Sequence, residues 1–281
     1  IEIGARPGVA ASISVDGNMI VSGITTFGGA VNFPSTSATV ITAGKTGIGF
    51  TDTNLKLGNT ALDSLTTGTN NIGVGQEALT ANTTGSNNVA IGKGCLDFNT
   101  TGDANNAVGA NTLDANTTGS NNNAFGQGAL GKNTTADNNS AFGQSALGEN
   151  TTGEYNVAIG AYALDANTTA SSNTAVGYGA IGANTTGNSL TAVGQGALVN
   201  NTTANDNTAM GQGALNANTT GASNSAFGRH ALVANTTGAN NVALGANALN
   251  ANTTANGNTA IGAQALESNT TGTPNTAVGF R

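Results

Sequence analysis

The sequence predicts an all-β fold, a β-solenoid built from 17-residue coils, and three observations predict it. A hydrophobic residue followed by Gly recurs every 17 residues from Leu57-Gly58 to Val278-Gly279. The intervening anchors are Val74, Ile91, Val108, Phe125, Phe142, Ile159, Val176, Val193, Met210, Phe227, Leu244 and Ile261. A strict period of this size marks a stack of like structural units. Each copy also spends about half its length on Gly, Asn and Thr, which are poor helix formers. Finally, short apolar runs alternate with Asn/Gly corners, the pattern of short strands separated by turns.

The elements follow in chain order. Residues 1–53 lack the period and read as an irregular β segment, a shaft or connector. Within it Ile13-Ser14-Val15-Asp16-Gly17-Asn18-Met19-Ile20-Val21 reads as two short strands around an Asp-Gly turn. Further β-type runs lie at 24–33 and 39–41, broken by Gly28-Gly29 and Pro34. Residues 54–281 are the solenoid. With the anchor as position 0, position −1 is Ala in every copy from Ala90 to Ala277. Position +4 is Ala except at Cys95 and Thr112, and position +5 is Leu except at Ile181. Asn-Thr-Thr occupies +8 to +10 from Asn82 to Asn269, and Gly or Ala follows at +11. Asn returns at −3, with Leu190 as the departure.

Stacking explains this regularity, because each position lies above itself in the next coil. At about 4.8 Å per coil, thirteen intervals make a rod on the order of 60 Å long. The anchors are expected to form one buried row and the +5 Leu a second. The Asn are expected to form amide ladders. Gly at +1 is expected to take positive φ or to meet a neighbouring backbone closely. Two large apolar side chains per coil, about 4–6 kcal/mol on burial, make a thin core. The Ala and Gly rows are therefore expected to face neighbouring chains. That argument predicts oligomerisation without setting the number of chains.

Composition narrows the function classes. Charged residues make up 7% of the 281, aromatics 4%, and the net charge is −7. That balance argues against a nucleic-acid partner, which needs clustered Lys and Arg. No apolar run reaches the length of a membrane span, so no membrane insertion is expected. The chain begins at Ile1 and stops at Phe280-Arg281, two residues past an anchor. It therefore reads as a piece of a longer polypeptide, with an anchor, chaperone or receptor-binding tip beyond it.

Individual motifs dissolve into the repeat. Gly126–Gly131 and Gly177–Gly182 match G-x-G-x-x-G, but a nucleotide site needs a strand before and a helix after. No cofactor is expected. Gly44-Lys45-Thr46 resembles the end of a phosphate loop, yet Thr39 stands where its first Gly is required. His230, the one His, and Cys95 sit in different repeats and form neither a nucleophilic pair nor a metal site. Asp63, Asp97, Asp114 and Asp165 share position +6, and neighbouring Asp97 and Asp114 are too few oxygens for Ca²⁺. They read as solvated corners, and no metal is expected. The Asn-Thr-Thr copies are formal glycosylation sequons but read as stacking ladders. Thr rows also raise ice binding, opposed by the geometry of adjacent strand residues, which face opposite ways. Glycan hydrolysis needs paired carboxylates in a groove; the acids here are sparse, and no enzyme activity is expected.

Asn88-Val89-Ala90-Ile91-Gly92, Asn156-Val157-Ala158-Ile159-Gly160 and Asn241-Val242-Ala243-Leu244-Gly245 resemble the head repeats of trimeric autotransporter adhesins. The longer unit, with Ala-Leu and Asn-Thr-Thr-Gly-x-x-Asn, is more similar to repeats of bacteriophage tail fibres. The resemblance covers residues 54–281. It departs in having a longer repeat than autotransporter heads and no visible neck, heptad stalk or barrel anchor. It implies a homotrimeric fibre of the virion or cell surface that attaches to a host through a glycan or protein receptor. The expected function is therefore a phage tail-fibre shaft located in the virion. The alternative is a bacterial surface trimeric adhesin or extracellular filament subunit, and an ice-binding solenoid comes last. A uniform array suits a spacer, so recognition is expected where the repeat breaks. Candidate surface contacts are Phe98, Tyr155, Tyr162, Tyr178, Arg229 and His230, together with Leu190.

Overall fold

A computed structural model describes residues 53–281 and, before them, the backbone of two strands, β1 (Ala10–Ile13) and β2 (Met19–Ser22). The chain divides into compact units at Ile1–Gly49 and Phe50–Arg281. β1 and β2 pair antiparallel, with Ala10 opposite Ser22 and Ile13 opposite Met19. The two strands expected around the Asp-Gly turn thus pair antiparallel, the first lying mostly upstream of Ile13, while the turn itself lies outside the described residues. The runs at 24–33 and 39–41, Pro34 and the Gly44-Lys45-Thr46 motif lie outside the described residues.

The second unit is the predicted β-solenoid. Fourteen three-residue strands run from β3 (Leu55–Leu57) and β4 (Ile72–Val74) at 17-residue intervals to β16 (Thr276–Val278). They form one sheet in sequence order, each strand parallel to the next, with partners such as Ala175 and Ala192 displaced by one repeat. No helix occurs among the described residues. The ladder continues around the corners. Gly75 N donates to Leu57 O at 2.8 Å, Leu79 N to Cys95 O at 3.0 Å, and Thr83 N to Thr100 O at 3.0 Å. Every coil therefore bonds to the coils on both sides, the arrangement that holds cross-β stacks together.

The core differs from the sequence expectation. Ala at −1, Ala at +4 and Leu at +5 are buried in coil after coil, for example Ala158, Ala163 and Leu164. The anchors are not: Ile91, Phe125, Phe142, Ile159, Met210, Leu244 and Ile261 are all exposed. In a three-residue strand the middle side chain points one way and its neighbours the other, and here the Ala points inward. Volume explains the choice. At Gly73, the one inward strand position without Ala from β4 onward, a Cβ would already lie 3.3 Å from the Leu62 side chain. One large aliphatic residue fills each level. The Ala rows accordingly face the interior of their own chain rather than a neighbour, which overturns that part of the expectation.

The +5 Leu reaches the interior from an unusual backbone. Leu62, Leu79 and the equivalents through Leu266 have φ between 51° and 55°. The left-handed conformation costs an L-residue about 1–2 kcal/mol, which burying a leucine, about 1.5–3 kcal/mol, offsets. Gly at +1 behaves as expected. Gly160 has φ +131°, and a Cβ there would lie 2.6 Å from Gly177 O.

Two Asn ladders complete the interior. At +8, from Asn99 onward, each Nδ2 donates to the Oδ1 of the previous coil and to a carbonyl three residues on. Asn116 reaches Asn99 at 2.8 Å and Gly119 O at 2.9 Å. At −3, each Asn Oδ1 accepts the backbone N–H at the same position of the next coil, as Asn88 accepts from Asn105 at 2.9 Å, while Nδ2 as far as Asn241 reaches a carbonyl of the next coil. Among the described residues no buried side-chain polar atom lacks a partner. Satisfied amides can sit where an unpaired one would be costly.

Candidate functional site

The rod presents three kinds of surface. The first is the outer face of the sheet. Positions −2 and 0 both point outward, so the anchors make one continuous apolar row along the sheet, in which Phe125 and Phe142 stack with ring centroids 4.9 Å apart. Nine of the fourteen anchors are exposed and the other five half-buried, and a contiguous exposed apolar row marks an interaction surface.

The second surface is the Asn-Thr-Thr corner. The +8 Asn from Asn82 to Asn252 are fully buried and bonded through their amides. Their nitrogens are closed to glycosylation in the folded chain, consistent with ladders rather than acceptors. The +9 hydroxyls donate inward, as Thr83 Oγ1 does to Thr100 O at 3.0 Å. Only the +10 row, including Thr84 and Thr169, is exposed.

The third surface is the corner carrying positions +3, +6 and +7, where a furrow of about 370 Å³ opens. Gly131 and Gly148 form its floor, with Asp114 and Asp165 at the two ends. Asn111, Gly128 and Ser145 form one bank, while Ala115, Lys132 and Glu149 form the other. Lys132 pairs with Glu149 across adjacent coils. Both end carboxyls are held above the usual carboxylate range. Burial is the main cause for each, with Asp97 adding repulsion at Asp114 and Glu149 adding it at Asp165. Among the described residues no group of three His, Cys, Asp or Glu is placed to hold a metal.

The structure scatters most of the sequence-predicted contacts. Phe98 and Tyr155 are exposed on different corners. Tyr162 and Tyr178 come together edge to face, with centroids 5.8 Å apart. Arg229 is exposed, and half-buried His230 packs over Gly213. Leu190 is a correction: it is fully buried, filling the slot of an Asn in the −3 ladder, and presents no surface. Cys95 is buried, its Sγ 3.2 Å from Ala107 O, and burial pushes the thiol up to about 12. A thiol held neutral is no nucleophile.

Sequence reasoning missed Gly131 and Gly148. The signal was present as two successive glycines at position +6, which elsewhere carries Asp, Thr, Val, Asn or Glu and once more Gly, at Gly182. No helix of the described residues is long and apolar enough to cross a membrane. Comparison of the chain with protein-family models, curated proteins and solved structures gives no match.

Proposed function

We propose that the chain is the shaft of a homotrimeric phage tail fibre, a rigid element in host attachment rather than an enzyme. The observation that carries the reading is the continuous apolar row on the outer face of the sheet. An exposed apolar row running through fourteen coils calls for a cover. Another copy of the coil stack repeats its own side chains at the same pitch along the whole length, so in-register copies match level by level. The interface assigned here is the anchor row, not the Ala rows. The number three and the phage owner rest on the resemblance of the Asn-Thr-Thr repeats to tail-fibre repeats.

The test is mass in solution. Sedimentation equilibrium is expected to give about 82 kDa, three times the 27.2 kDa of one chain. The double variant F142K/I159K is expected to sediment as a monomer with an unchanged β-type circular dichroism spectrum. A folded wild-type monomer refutes the trimer. Antibodies against residues 53–281 are expected to decorate fibres on virions; labelling of bacterial surfaces instead replaces the phage reading with the adhesin reading.

A further inference from the structure

The furrow lies over Gly131 and Gly148, where two successive coils carry glycine at position +6. In the other coils position +6 carries side chains, such as those of Thr80, Asp97, Val199 and Asn216, except at the isolated Gly182. Two successive glycines remove them and leave a trough parallel to the rod axis. The carboxylates at its ends lean into the vacated space. A Cβ on Gly148 would lie 2.9 Å from Asp165 Oδ1, and one on Gly131 would lie 3.6 Å from Asp114 Oδ1. Asp114 to Asp165 spans three coil spacings, about 14 Å, the length of roughly three pyranose units.

We propose that this furrow is a binding subsite for a linear, neutral oligosaccharide of about three sugar units, its hydroxyl pairs received by Asp114 and Asp165. Small-molecule pockets are usually concave, enclosed and mostly apolar. This one is open, long and polar, and suits a ligand that is itself long and covered in hydroxyls. Carboxylates accept charge-assisted hydrogen bonds, which are about twice as strong as neutral ones. The banks add donors, the Asn111 amide and the Ser145 hydroxyl, so that each sugar hydroxyl can both give and receive.

Charge and backbone narrow the class. Lys132 is already paired with Glu149, leaving two acidic ends that disfavour an anionic glycan. The floor offers no free edge to an extended peptide, since Gly131 N donates to Gly128 O and Lys132 N to Gly148 O, each at 3.1 Å. Burial holds both end carboxyls up, and hydroxyl donors from a ligand would favour their charged form. Tyr162 continues the bank of Asn111, Gly128 and Ser145 by one coil and, with Tyr178, extends the subsite by an aromatic face. The furrow lies on a corner, away from the sheet face, so the proposal stands whether or not the chains associate.

Calorimetric titration of the intact chain with maltotriose, chitotriose and mannotriose is the test. Saturable millimolar or tighter binding of at least one is expected. It should weaken tenfold or more in the furrow-filling variant G131N/G148N, whose new side chains copy those of Asn216 and Asn250. Asp114→Asn with Asp165→Asn should weaken it severalfold, and Asn216→Asp, outside the furrow, should leave it unchanged. Circular dichroism separates lost binding from lost folding, with Asp114→Asn/Asp165→Asn as the variant least able to disturb the backbone. Three results overturn the proposal: no binding of any trisaccharide at millimolar concentration, undiminished binding to the folded furrow-filled variant, or tighter binding of trilysine than of every sugar.

Discussion

Replacing Asn167 by Ala removes one rung from the middle of the +8 ladder. Asn167 Nδ2 donates to Asn150 Oδ1 at 2.8 Å and to Ala170 O at 3.0 Å, and its Oδ1 accepts from Asn184 Nδ2 at 3.1 Å. Two of the three partners keep another bond. Ala170 O still accepts from Asn156 at 2.9 Å, and Asn184 Nδ2 still reaches Gly187 O at 2.9 Å. Asn150 Oδ1 is left buried and unpaired, which costs about 1–3 kcal/mol, and two further lost bonds at about 1 kcal/mol each bring the total to roughly 3–5 kcal/mol. In a one-dimensional stack each coil touches only its neighbours, so the loss is local. Hydrogen exchange resolved by residue is therefore the assay, supported by urea unfolding. Amides of the coils on either side of Asn167 should exchange faster by roughly two to four orders of magnitude, since about 1.4 kcal/mol is tenfold. Thr169→Ala, on the exposed row, should change stability by under about 0.5 kcal/mol. A loss below about 1 kcal/mol for Asn167→Ala would refute the view that the amide ladder holds the interior together.

Three further outcomes follow from the same geometry. Gly160→Ala places a Cβ 2.6 Å from Gly177 O at φ +131° and should cost roughly 3–5 kcal/mol through strain and overpacking. Gly179→Ala, at φ +61° with no atom near, should cost about 1 kcal/mol in the same denaturation assay. The buried Cys95 thiol, raised from 9.0 to about 12, keeps its proton longer folded than unfolded. Its contribution is intact below pH 9 and falls by about 1.4 kcal/mol per pH unit above that, a slope that Cys95→Ala should abolish in alkaline unfolding. Leu190 offers no acceptor to the next coil, whereas Asn207 Oδ1 receives the Asn224 amide at 2.9 Å; the Asn207 amide should therefore exchange faster than that of Asn224.

The sequence by itself determined the coil. The 17-residue period sets which residues lie above one another, and stacking then demands a like residue at each level. Strand order, parallel pairing, the Asn ladders and the positive φ of the +1 Gly all follow from that rule. Only the tertiary structure decided which way each row faces. Periodicity says that Ile91 stacks on Val108, but not whether the row points into the coil or out of it. The answer depends on the corners, where residues such as Leu164 and Tyr162 adopt positive φ and break the alternation that a long strand would carry. It depends also on volume: with the +5 Leu inside, only Ala fits opposite, and the larger anchors are displaced to the surface. The furrow was hidden for a related reason. Gly131 and Gly148 look like small departures along the chain, and become a trough only when stacking sets them side by side between Asp114 and Asp165.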